Sequence, residues 1–183
     1  MRRLQRFALP IAVLLIGHSA SAAWEADTDI KLEVKAAGAI ASIREELPRT
    51  EKYFEQAYGY AILPSVTRVG FGFGGAYGKG IVVEGDNAIG ITKFWQFTSG
   101  IQAGAKNFSM IVFFKDKEAL DYFKTGDLQF MGEAGLAFAT VGVAGTPAFN
   151  DGVAVVTLTR LGLMGEFTIS GAKFSYKASS EEK

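Results

Sequence analysis

The residues best suited to chemistry crowd into one glycine-rich stretch, Arg68 to Phe97. Phe71, Phe73, Tyr77, Phe94, Trp95 and Phe97 are interleaved there with Arg68, Lys79 and Lys93, and Lys106 follows shortly after. Aromatic rings with a wet end sit well at a membrane–water boundary, and neighbouring Lys or Arg side chains can pair with phosphate head groups. The pattern points to non-covalent recognition of anionic or phosphorylated lipid head groups, with Arg68, Tyr77, Lys79, Lys93, Trp95 and Lys106 as candidate contacts. Strand alternation requires some of the rings to be core. Phe71 and Phe73 are expected inside, with Tyr77, Trp95 and the basic residues nearer the surface.

Other chemistries fit less well. Gly70-Phe71-Gly72-Phe73-Gly74-Gly75 has the letters of a dinucleotide fingerprint, but that motif needs a helix behind it, and Ile81-Val82-Val83 reads as strand. Gly78-Lys79 fails as a phosphate-binding loop, because Phe73 stands where its first glycine belongs and Gly80 replaces the Ser or Thr. Glu84, Asp86, Glu133 and Glu166 are the carboxylates of the sheet region, and nothing in their spacing brings two of them together. The chain has no cysteine, and its one histidine is His18. Without that histidine, the rest of the chain lacks the bases, nucleophiles and ligands of His-dependent triads, Cys nucleophiles and Cys/His zinc sites. No catalytic residue, cofactor or metal is expected.

His18 lies in a segment laid out for export. Arg2, Arg3 and Arg6 form a basic start, Phe7 to Ile16 is uninterruptedly apolar, and Ala20-Ser21-Ala22 is a cleavage triplet. Residues 1–22 are expected to be a signal peptide, since the apolar run is too short to span a bilayer. Removing them takes three of the nineteen Lys and Arg and none of the nineteen Asp and Glu, leaving a net charge of about −3. No basic excess of the nucleic-acid-binding kind remains. With no cysteine for acylation, the expected place is the periplasm, soluble or peripheral on a membrane.

The elements that must position the cluster follow from periodicity. Ile30, Val34, Ala37 and Ala41 predict a helix over 28–47, ended by Pro48. A second helix is expected from Thr50 to Tyr58, with Tyr53, Phe54, Ala57 and Tyr58 inward. Lys31, Lys35 and Arg44 alternate with Glu33, Glu45 and Glu46, so these helices are read as capping a sheet rather than lying on a membrane. From Tyr60 the period becomes two. Strands are expected at 60–63 (closed by Pro64), 69–73, 81–84, 88–92, 101–106, 110–114, 153–158 and 167–176. Gly85-Asp86-Asn87 reads as a hairpin turn, and Asp116 caps a short helix carrying Ala119, Leu120 and Phe123. Ala134 to Phe149 is free of charge and reads as buried strand plus loop, with a segment dipping into lipid as the alternative. The tail after residue 177 is polar.

Twenty-two glycines weaken strands individually, and are tolerated where strands bend, bulge or approach another backbone closely. The expected fold is α+β and β-rich: one strongly curved, mainly antiparallel sheet or small barrel, with two N-terminal helices and one short helix near 116–124. No linker interrupts residues 23–177, which are read as one domain.

Four segments resemble the SYLF domain: Tyr58-Gly59-Tyr60-Ala61-Ile62-Leu63-Pro64, Gly70 to Gly80, Gly100-Ile101-Gln102-Ala103-Gly104, and Val112-Phe113-Phe114 with the helix 117–123. The likeness extends over residues 36–175. It departs from the family pattern around Trp95, where the neighbouring proline is missing, and over Gly162 to Gly171. The resemblance implies a lipid-binding module. Eukaryotic members bind phosphoinositides and in some cases actin, and actin is not expected for an exported protein. The expected partner is phospholipid or a membrane surface, not nucleic acid. The alternatives are a small outer-membrane β-barrel and a structural protein binding another envelope protein.

Overall fold

A straight strand of 26 residues would be about 85 Å long, far more than a domain of this size can span. The chain nevertheless carries three strands of that order, and it accommodates them by bending. The computed structural model describes residues 31–126, 129–131, 139–140, 149 and 152–179. The expected signal peptide, most of the charge-free segment from Ala134, and the last four residues lie outside them.

Two helices come first, α1 (Lys31–Glu46) and α2 (Glu51–Gln56), joined by a 3-10 turn over Pro48–Thr50. Two long strands follow, β1 (Gly59–Glu84) and β2 (Asn87–Phe114), then α3 (Lys117–Lys124), two short strands β3 (Gln129–Met131) and β4 (Ala139–Thr140), and a third long strand β5 (Val153–Ala178). The sheet runs β1-β2-β5-β3, with β4 also on β5. All ladders are antiparallel except β4–β5. The fold is thus α+β and β-rich as expected, and among the described residues the sheet is curved and open rather than closed into a barrel.

The strands expected as separate pieces are continuous. Pro64 does not close a strand: it sits in β1 where the register slips between Leu63 and Val66, a bulge being where a sheet tolerates a missing N–H. Ser109 Oγ donates to the Pro64 carbonyl there (2.9 Å). The hairpin turn falls at Gly85 and Asp86, between the paired Glu84 and Asn87, with Gly85 at φ 57°.

β1 doubles back on itself. A Cβ on Gly59 would lie 2.6 Å from the Val83 carbonyl oxygen, and one on Gly78 would lie 2.7 Å from Val66 Cγ2. A Cβ on Gly80 would overlap the Ile62 carbonyl. The first half of β1 therefore lies against its second half, and the bend falls around Gly70–Gly75. At the bend the β1–β2 register slips between Phe71 and Phe73, and Gly72 (φ 69°) and Gly100 (φ 144°) adopt backbone that other residues avoid.

Doubling back creates the core. Leu63, Val66, Met110 and Phe114 from one half meet Phe94, Ala172 and Phe174 from the other, together with Leu120 and Phe123 of α3. Phe94, Phe114, Phe123 and Phe174 are fully buried, each contributing about 2–3 kcal/mol of burial. A second cluster on the outside of the sheet, with Ile62, Val83, Ile111 and Phe113, lies under Ala36, Ala39, Ile40 and Ile43 of α1 and Tyr53 of α2. The helices thus cap the sheet as expected, but the stripe that α1 buries is rotated from the predicted one, with Ala37 and Leu47 half-buried beside Ile40. Val34, expected inward, is exposed, as is Ala41. Ile40 and Ile43 bring more apolar area than the alanine-rich stripe beside them. Asp116 caps α3 as expected, accepting from the Ala119 amide (2.9 Å). Among the described residues no helix is long and apolar enough to cross a membrane.

Candidate functional site

The second half of β1, the first half of β2 and the end of β5 form one outward-facing ladder. In an antiparallel sheet, alternate residues share a face and directly opposed residues share a rung. Lys79, Lys93 and Ser175 make one rung, and Tyr77, Trp95 and Lys173 make the next. Gly75, Phe97 and Gly171 make a third, followed by Phe73 and Ser99 at the bend. Lys79, Lys93 and Lys173 are exposed. Tyr77 and Trp95 are 49% and 43% exposed, with ring centroids 6.1 Å apart. Successive rungs are about 7 Å apart, so cations, amphipathic rings and purely apolar rings are graded along one face.

Four of the six residues singled out in the sequence, Tyr77, Lys79, Lys93 and Trp95, therefore stand together. The other two do not. Arg68 was expected near the surface and is buried, at 8% exposure. The bulge after Leu63 sets the phase of β1 so that Arg68 shares the inward face with Val66, and the doubled ribbon covers it. Lys106 stands directly opposite Arg68, half-buried, with its Nζ 5.9 Å from the centroid of the Phe108 ring.

Phe71 and Phe73 also depart from expectation. Expected inside, they are 87% and 68% exposed. Their neighbours Gly70, Gly72 and Gly74 have no side chains, so the local sequence does not mark which face is wet. Phe97 (65%) is exposed at the same bend, the Phe73 and Phe97 rings stack with centroids 6.5 Å apart, and Leu161 (74%) is exposed two rungs from Phe71, level with Thr67 and Asn107. Sequence reasoning missed Lys173 as well, because its place beside Trp95 depends on a pairing with β5 that no local signal gives.

The carboxylates considered for catalysis are otherwise engaged or lie elsewhere. Glu84 accepts from the Tyr58 hydroxyl (2.8 Å) and pairs with Lys124 (3.1 Å), clasping the end of β1 to α3. The Tyr58 hydrogen bond, then Lys124, hold the Glu84 carboxyl below its ordinary range. Asp86 occupies the hairpin turn, and Glu133 and Glu166 lie where side chains are not described. An open cleft of about 360 Å³ beside α3 is lined by Asp116, Glu118, Ala119, Tyr122 and Gly152, but Asp116 is engaged in capping the helix. Among the described residues no group of three or more His, Cys, Asp or Glu is placed to hold a metal ion.

With that geometry in place, comparison with known proteins shows a likeness over most of the chain. The chain is 26% identical over 147 residues to Beta cell expansion factor A of Aeromonas veronii. The match covers 79% of this chain and 56% of that protein, so the chain corresponds to little more than half of its relative's length. No family model matches the chain. No solved structure matches it either.

Proposed function

We propose that this protein is a non-enzymatic, membrane-binding protein that docks on anionic phospholipid head groups through the face carrying Lys79, Lys93, Lys173, Tyr77 and Trp95. The observation that carries the reading is the Lys79–Lys93 rung. Two like charges directly opposite one another disfavour the sheet, and an anionic group lying between them offsets that cost. Trp95 and Tyr77 on the adjoining rung supply the amphipathic rings that favour a head-group boundary. The resemblance to the SYLF domain supports this reading, and so does the signal-peptide layout of residues 1–22, which fits an exported protein. Lys106 and Arg68 are not part of the docking face, since both look inward.

Co-sedimentation with vesicles of varied phosphatidylglycerol content, at low and high salt, tests the proposal. Binding should rise with anionic lipid and weaken with salt, as screened head-group contacts do. Absence of binding to any vesicle would remove the lipid reading and favour an envelope protein as partner.

A further inference from the structure

The docking face ends at the bend, and the character of both faces of the sheet changes there. Away from the bend, the inward face is apolar and aromatic, with Phe94, Phe108, Phe114 and Phe174 packed together. At the bend, the inward positions become partly polar: Arg68 and Gln96 are 8% exposed and Thr98 is fully buried, with Lys106 facing Arg68 and the buried Ala76 and Ala172 on either side of Gln96. The outward positions of the neighbouring rungs carry Phe71, Phe73, Phe97 and Val69, each at least half exposed, with only Ala103 and Ser99 opposite Phe71 and Phe73. Buried polar side chains beneath exposed phenyl rings are the alternation of a strand whose outer face meets lipid rather than water. The Phe73 and Phe97 rings also stack on one another, whereas scattered surface apolar residues need no explanation.

We infer that the bend is a membrane-insertion tip, with Phe71, Phe73 and Phe97 entering the acyl region of an anionic bilayer. The inference rests on the head-group reading and extends it: the ribbon stands end-on, not flat, on the membrane. The occupant is lipid rather than protein because of what borders the patch. Tyr77 and Trp95 lie one rung beyond Phe97, and the Lys79–Lys93 rung lies one further, each step about 7 Å. The head-group layer on one side of a bilayer is about 6 Å thick. With the phenyl rings below that layer, Tyr77 and Trp95 fall at its level and the ammonium groups just above the phosphates.

The chain has no cysteine, so a single introduced cysteine can carry a nitrobenzoxadiazole probe. The variants are Phe73→Cys at the tip and Glu45→Cys on the exposed side of α1, mixed with vesicles of equal parts phosphatidylglycerol and phosphatidylcholine. Sedimentation of the same samples reports binding. The expected result is a vesicle-dependent blue shift of the Phe73 probe, quenched by lipids spin-labelled on the acyl chain, with the Glu45 probe unchanged. Sedimenting protein whose Phe73 probe stays in water would overturn insertion and leave the head-group reading standing. Failure to sediment would remove both. A blue-shifted Phe73 probe without vesicles would also overturn insertion: dependence on protein concentration would identify a second copy as the occupant, and independence another segment of the chain. In a separate arm, Phe71→Ser/Phe73→Ser/Phe97→Ser should weaken vesicle binding about tenfold or more with the lysines intact, and unchanged binding would contradict the inference.

Discussion

Lys79 and Lys93 stand directly opposite one another across the β1–β2 ladder, both exposed, one rung from the Tyr77–Trp95 ring pair. Lys93→Glu turns a repulsive cross-strand pair into an attractive one. The variant should gain about 0.5 kcal/mol in a urea titration, while its binding to anionic vesicles falls. Binding and stability moving in opposite directions would mark the pair as functional. If both fell together, the lysines would be supporting the fold.

Gly80 lies where the two halves of β1 touch, and a Cβ there would overlap the Ile62 backbone carbonyl. Backbone cannot move aside as a flexible side chain can, so Gly80→Ala should cost about 3 kcal/mol or more. Gly38, on α1 with open space around its Cβ position, is the contrasting site. Gly38→Ala should be neutral or stabilising by about 0.5–1 kcal/mol, as alanine favours a helix. Chemical denaturation of the two variants measures the difference. Equal effects would mean that the halves of β1 are not in close contact.

These glycines show what the sequence made legible. The alternation after Tyr60, the Gly85 turn and the Asp116 cap are local signals, and each is found where it was expected. Strand continuity was hidden, because Pro64 and the Gly70–Gly75 run have the chemistry of strand ends as well as that of bulges and bends. Which way Phe71 and Phe73 point was hidden for a related reason: a Phe–Gly alternation carries no polar marker. Ring–cation proximity in sequence picked out Tyr77, Lys79, Lys93 and Trp95, which stand on one exposed face. The same criterion misplaced Arg68, whose direction is set by a bulge, and passed over Lys173, whose neighbours come from strand pairing.

Tyr60 sits half-buried beneath α2, its ring 5.7 Å from that of Phe54. Burial pushes its phenol up to about 12, with Asp86 adding to the shift and Arg44 opposing it. A raised folded-state value favours the neutral phenol. Its contribution to stability is therefore complete below about pH 10 and is lost as pH rises from 10 toward 12. Tyr60→Phe cannot ionise, so its stability should decline less steeply over that window. Part of the decline should persist, because burial also raises Tyr53. Denaturation midpoints measured between pH 9 and 12 would check this, and superimposable profiles would contradict it.

The central claim, that one face of the bent sheet takes anionic lipid, is tested most directly by two charge reversals of equal size. Lys79→Glu/Lys93→Glu/Lys173→Glu alters the proposed face, and Lys31→Glu/Lys35→Glu/Lys52→Glu alters exposed lysines of α1 and α2. Both variants are sedimented with phosphatidylglycerol vesicles beside the unaltered protein. The account predicts that the first loses affinity about tenfold or more, and that the second changes only slightly. Equal losses would reduce binding to net charge alone, and no loss from the first variant would contradict the assigned face.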